Sequence, residues 1–128
     1  MLALKLIVLA FSVGVAFAAL GLWRRPPRLT RVEPDAIGAA GPAIVQFGTT
    51  HCAPCKQARP VLERAARDAG VEFIDVDLEE RPDLASRYGI RSVPVIVVTD
   101  QRGDVLGRWT GLPPDGELHR LALQARAA

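Results

Sequence analysis

The sequence predicts an α/β fold: a mixed sheet of four to five strands with helices on both faces, preceded by one apolar helix of membrane-spanning length. Three observations point there. From residue 43 onward, short β-branched runs alternate with segments of helical period. Leu6 to Trp23 carries no charge, and the only two cysteines, Cys52 and Cys55, stand where the first strand-like run meets the first long helical pattern.

At 128 residues the chain has room for one domain, and its first 23 residues differ in kind from the rest. Between Leu6 and Trp23 the only polar interruption is Ser12, with Gly14 and Gly21. Eighteen helical residues at about 1.5 Å each reach roughly 27 Å, close to the hydrocarbon thickness of a bilayer. Residues 1–23 are therefore expected to form a transmembrane anchor. A cleavable signal peptide is the competing reading, with Ala16-Phe17-Ala18 as small residues at a cleavage spacing and Lys5 as a weak positive region. The anchor is preferred because the apolar run passes that point and ends on an interfacial Trp with an arginine pair. Arg24, Arg25, Arg28 and Arg31 outweigh Lys5 across the span, which favours a cytoplasmic thiol domain over an extracytoplasmic one.

Five of the 16 basic residues lie in positions 1–31, leaving 11 against all 14 acids, so the remaining domain carries about −3. The overall +2 belongs to the membrane junction. With no basic patch interleaved with aromatics, a nucleic-acid partner is excluded. Two lysines beside abundant Ala and Arg give a composition of GC-rich bacterial type.

Residues 24–42 hold Pro26, Pro27, Pro34, Pro42, Gly38 and Gly41 and read as a linker, with one short element near Val32 or around Asp35 to Ile37. The folded domain is then 43–128, or starts near 32. Ala43 to Phe47 is the first strand, ending at Gly48. Residues 53–69 have helical period, with Val61, Leu62, Ala65, Ala66 and Ala69 on one face and Lys56, Arg59, Glu63, Arg64 and Arg67 on the other. Pro60 should kink this helix and Gly70 close it. Val71 to Val76 is a second strand, Pro82 to Arg87 a short helix, and Val93 to Thr99 a β-branched strand. Asp100-Gln101-Arg102-Gly103 turns the chain into Asp104 to Thr110 as an antiparallel hairpin. Asp115 to Ala127 is a last helix offering Leu118, Leu121 and Leu123 for burial. Trp109 is expected to pack on the final strand, and Tyr88 belongs to a helix-end turn.

The string Cys52-Ala53-Pro54-Cys55-Lys56 at a strand-to-helix junction, Pro60 five residues later, the tract Tyr88-Gly89-Ile90-Arg91-Ser92-Val93-Pro94 and a final hairpin closing on Gly111 together resemble the thioredoxin family. The resemblance covers roughly Val32 to Ala127. It implies a thioredoxin-like fold and a thiol–disulfide oxidoreductase whose redox-active group is the Cys52–Cys55 pair itself, with no further cofactor. Cys52 at the start of the 53–69 helix would be the nucleophile, its thiolate favoured by unpaired amides and the helix dipole. Cys55, one turn on, would resolve the mixed disulfide. Ala53 and Pro54 set how reducing the pair is, and Lys56 supplies positive potential. A cis Val93-Pro94 bond would leave the Val93 backbone to pair with an extended substrate. The implied partners are protein disulfide substrates and an electron donor such as a thioredoxin reductase or a low-molecular-weight thiol.

The chain departs from the family pattern at four places. His51 and Gly48 stand where the family carries tryptophans, which thins the apolar rim around the thiols. Gln46 replaces the family's buried acid, and Asp75 takes the place of its lysine partner. Gln46 cannot accept a proton; Asp75 would take over as proton relay if its carboxylate points towards Cys55, and is otherwise a solvated strand residue. His51 has two readings, a cation beside Cys52 that raises the reduction potential or a neutral surface residue. His119, on the last helix, reads as a surface residue. A function of another class also fits three ligands in five residues: a metal-binding or metal-delivery module using His51, Cys52 and Cys55. Against it, the chain has no other Cys and only the distant His119, so no metal is assigned. Haem attachment is excluded because Lys56 follows Cys55 where His is required.

Overall fold

The computed structural model describes residues 1–23, 29–114 and 116–128. Helix α1 (Leu2–Trp23) is followed by α2 (Pro34–Ile37), β1 (Ala43–Gly48), α3 (Ala53–Ala69), β2 (Glu72–Asp77), α4 (Pro82–Tyr88), β3 (Val95–Thr99), β4 (Val105–Thr110) and α5 (Glu117–Ala127). The four strands form one mixed sheet in the order β2-β1-β3-β4. β2 runs parallel to β1, whereas β3 is antiparallel to both β1 and β4.

Side chains alternate across a strand, so parity decides which layer each residue enters. Val45, Phe47, Val95 and Val97 meet Leu84 and Tyr88 of α4 on one face, together with Leu29 and Val32. Ile44, Ile96 and Val98 meet α3 and α5 on the other, through Ala58, Leu62, Ala66, Leu118, Leu121 and Ala122. Both faces of β1 and β3 are covered, which is why these strands read as unbroken apolar runs.

α3 begins with Cys52 as its N-cap and runs through Pro60 to Gly70, where the positive φ of 70° places the N–H against the carbonyls of Ala66 and Arg67. Its buried stripe is Cys55, Ala58, Leu62, Ala66 and Ala69. Val61, expected in that stripe, is half exposed, because burial follows the i, i+3, i+4 row through Leu62 rather than its neighbour. Leu123 on α5 is likewise exposed, while Ala122 and Ala125 are buried beside Leu118 and Leu121. Trp109 packs against the α3–α5 layer from β4. β3 starts at Val95 rather than at Val93; Pro94 has no N–H to give to a ladder. The expected first residue of the last helix, Asp115, lies outside the described residues.

Residues 24–28, including Arg24, Arg25, Arg28, Pro26 and Pro27, also lie outside the described residues. Much of the remaining stretch read as linker is built into the fold. Leu29 and Val32 are buried, Arg31 bridges to Asp104, and the Val32 N–H donates to the Gly103 carbonyl at 2.8 Å. Glu33 then accepts from the Tyr88 hydroxyl at 2.5 Å, and the ring of Tyr88 stands 5.8 Å from that of Phe47. α1 is long and apolar enough to cross a membrane, a length and composition that a signal sequence shares.

Candidate active site

The site forms at the carboxyl end of β1. Gly48 leads through Thr49, Thr50 and His51 to Cys52, whose extended backbone (φ −86°, ψ 104°) caps α3. The Cys52 sulfur accepts the Cys55 N–H at 3.2 Å, and the Lys56 N–H donates to the Cys52 carbonyl at 3.3 Å. Cys52 and Cys55 are joined as a disulfide with Cα atoms 5.3 Å apart, and both are buried. Ala53, Pro54 and Lys56 are exposed around it. On reduction, the helix N-terminus would lie against the Cys52 sulfur, where it favours the thiolate.

Gly48 packs directly on the pair. A Cβ added there would lie 2.8 Å from the Cys55 sulfur, so no side chain fits without displacement. Phe47 on β1 pairs with Val95 on β3, which brings Val93-Pro94 to the same end of the sheet as Thr49 to Cys52. The Val93-Pro94 bond is cis and Pro94 is buried. The Pro94 carbonyl accepts from Gly111 at 2.9 Å, whereas among the described residues the Val93 N–H and C=O have no partner.

Beneath Cys55 lies a polar network that the strand register builds. Gln46 and Asp75 are lateral partners on β1 and β2, and their parity turns both toward α3. Cys55 and Arg59, one helical turn apart, lie over them. The Gln46 amide donates to the Cys55 carbonyl at 3.1 Å and to the Asp75 carboxylate at 3.5 Å, and Asp75 pairs with Arg59. A cleft of about 410 Å³ opens here, lined by Gln46, Gly48, Cys55, Lys56, Arg59 and Asp75 among others. The structure thus brings Gln46 and Asp75 together next to Cys55. Arg59, read from sequence only as part of a solvated helix face, joins them; its i+4 spacing from Cys55 was the available signal.

His51 is exposed, as the surface reading expects, and its ring is paired with Glu79. Its Nδ1 lies 3.2 Å from a Glu79 carboxylate oxygen, and the Thr50 hydroxyl donates to the other oxygen at 2.8 Å. The Thr50 hydrogen bond, followed by that of His51, holds the Glu79 carboxyl below its ordinary value. Glu79 lies 28 residues from His51, and nothing local in the sequence marks it. His119 is exposed on α5. Among the described residues, no group of three or more His, Cys, Asp or Glu side chains is arranged to hold a metal ion.

Comparison with known proteins bears on this geometry. The family profile described as Thioredoxin matches residues 34–122. The chain is 35% identical over 88 residues to a thioredoxin of Rhodospirillum rubrum, covering 67% of this chain and 84% of that one. It is 32% identical over 89 residues to a thioredoxin of Streptomyces clavuligerus, with coverage of 69% and 82%. Among solved structures it resembles a point-mutant thioredoxin from Halobacterium salinarum NRC-1, with a TM-score of 0.59 at 27% identity over 70% of this chain and 78% of that one. Chloroplastic thioredoxin z, at 24% identity, has the same fold, with a TM-score of 0.59 over 82% and 100% of the two chains.

Proposed function

Because the chain belongs to the thioredoxin family of thiol–disulfide oxidoreductases, we propose that it is a membrane-tethered protein disulfide reductase that works through a mixed disulfide. The observation that carries this reading is the placement of the pair, with Cys52 capping α3 and Cys55 held one turn below it over a polar network. In the reduced protein the Cys52 thiolate attacks one sulfur of a substrate disulfide, and the other substrate sulfur leaves as a thiolate. Cys55 then gives up its proton and attacks the Cys52 sulfur, releasing the second substrate thiol and forming the Cys52–Cys55 disulfide. A donor, either a thioredoxin reductase or a low-molecular-weight thiol, returns two electrons and one proton, restoring the Cys52 thiolate and the Cys55 thiol. No cofactor beyond the disulfide is required by these steps.

The other site residues act around that exchange. The unpaired Val93 N–H and C=O beside Pro94 would hydrogen-bond an extended substrate segment, as an added strand does. Ala53 and Pro54 shape the turn between the thiols, while Lys56 and His51 tune the field around them. Asp75 receives the Cys55 proton, with Gln46 between them. α1 is the anchor, and the Arg24, Arg25, Arg28 and Arg31 flank favours a cytoplasmic thiol domain.

Two experiments test the proposal. With Cys55→Ser, Cys52 should remain linked to client proteins as mixed disulfides that dithiothreitol releases; no trapped species would sink the reading. The reduction potential of the pair, equilibrated with a glutathione or dithiothreitol buffer, should fall near the thioredoxin figure of about −270 mV. A value of about −120 to −180 mV would instead make it an oxidant or isomerase and count against a cytoplasmic domain.

A further inference from the structure

Gln46 is fully buried, yet its side-chain oxygen meets no donor among the described residues. The orientation of its amide is set by the other end, where the nitrogen is committed to the Cys55 carbonyl and the Asp75 carboxylate. A flipped amide would place an oxygen against two acceptors. An orphaned buried acceptor is costly, and a redox role is one of the reasons a native structure keeps one.

The disulfide supplies no such donor, because neither sulfur carries a hydrogen. Reduction does. Two electrons and one proton convert the pair into a Cys52 thiolate and a Cys55 thiol, and the Cys55 S–H is then a new donor beside Gln46. A point 2.8 Å from the Cys55 sulfur, at the place of a Cβ on Gly48, is 3.9 Å from the Gln46 nitrogen. The sulfur and the amide therefore border the same small gap.

We propose that the Gln46 side-chain oxygen accepts the Cys55 S–H hydrogen bond in the reduced protein, stabilising the dithiol form and directing the single proton to Cys55 rather than Cys52. This deepens the reductase reading above and rests on it. An amide does this without titrating, so the effect on the couple is independent of any charge at position 46. Gln46 thus holds the resolving thiol protonated until substrate has reacted with Cys52, and leaves removal of the proton to another group.

The test is the equilibrium in which the oxidised protein and two glutathione molecules give the dithiol and one glutathione disulfide, run on the full chain in detergent. Gln46→Met keeps the volume and removes both polar ends. The nitrogen's bonds are lost in both redox states and cancel in the equilibrium, so the difference reports the oxygen alone. The variant's equilibrium constant should fall about five- to tenfold, a potential lower by about 20–30 mV. Denaturant unfolding should show a larger stability loss in the reduced form than in the oxidised one. In the reduced wild-type protein, which needs no substitution, the S–H stretching band in Raman spectra should be displaced to lower frequency than that of a non-bonded thiol. An unchanged equilibrium constant, equal losses in both forms, or an undisplaced S–H band would overturn the assignment while leaving the reductase reading intact. A wild-type protein with no two-electron couple would overturn both.

Discussion

Replacing Gly48 by alanine places a methyl group against the redox pair. The new Cβ would stand 2.8 Å from the Cys55 sulfur and 3.3 Å from the Cys55 Cβ, where non-bonded heavy atoms settle at about 3.5–4.0 Å. The sulfur contact must open by roughly 0.7 Å or more. In the disulfide the obstructing atom is covalently held on both sides, so the movement must come from the β1 end or the first turn of α3. Overpacking of this kind costs about 1–3 kcal/mol. After reduction the Cys55 side chain rotates independently of Cys52 and most of that cost disappears. Stability loss confined to the oxidised form is, by linkage, a potential raised by about 20–60 mV, since 30 mV corresponds to about 1.4 kcal/mol. Urea unfolding of both forms and a glutathione titration measure the two sides of that cycle independently. If Gly48→Ala weakened both forms equally, or left the oxidised form untouched, the contact would not constrain the disulfide.

Leu62→Ala removes a fully buried side chain between α3 and α5 and should cost about 2–5 kcal/mol in urea unfolding, with the Cys52–Cys55 couple unshifted because the cavity lies behind the site. Tyr88→Phe deletes the hydroxyl that bonds Glu33 and should cost about 1 kcal/mol near neutral pH. Its pH signature has a definite sign. Tyr88 first, with the Arg87 charge helping, lowers the Glu33 carboxyl, so that contribution is present above the ordinary value near 4.5 and is lost as pH falls through the folded one. Tyr88 itself is raised, chiefly by burial, so its contribution is present below 10 and is lost as pH rises through its folded value. The wild-type minus Tyr88→Phe stability difference should therefore shrink at both extremes, and a flat difference would contradict it. Thr50→Val removes the largest cause of the lowered Glu79 carboxyl, and an NMR titration should find Glu79 nearer its ordinary value.

The elements that carry the chemistry were legible because their signals are local. A β-branched run, a CxxC string and a helical period are each readable within a dozen residues, and β1, α3 and β3 follow from them. Val32 was legible as part of a short element, but the burial of Leu29 was hidden by the prolines around it; a proline-rich stretch packs as readily as it links when its few apolar residues find a core. The Gln46–Asp75 pairing was anticipated from the resemblance, but Arg59 was not, because its role depends on α3 lying over β2. Glu79 was missed for a stronger reason. Its contact with His51 joins two loops 28 residues apart, and neither loop has a period from which such a meeting can be inferred.

The bridge between Arg31 and Asp104 fixes where the chain enters the domain: at the β3–β4 turn, the end of the sheet opposite the thiols. β1, six residues long, measures about 20 Å from one end to the other. From the end of α1 at Trp23 to the buried Leu29 there are six peptide steps, at most about 20 Å however the chain runs. If α1 is the membrane anchor proposed above, the domain would be held by its base, and the disulfide could stand no farther than roughly 40 Å above the lipid. Under that tether, reach would select clients as well as chemistry: a cystine inside the shell could be served, and one held farther from the lipid could not.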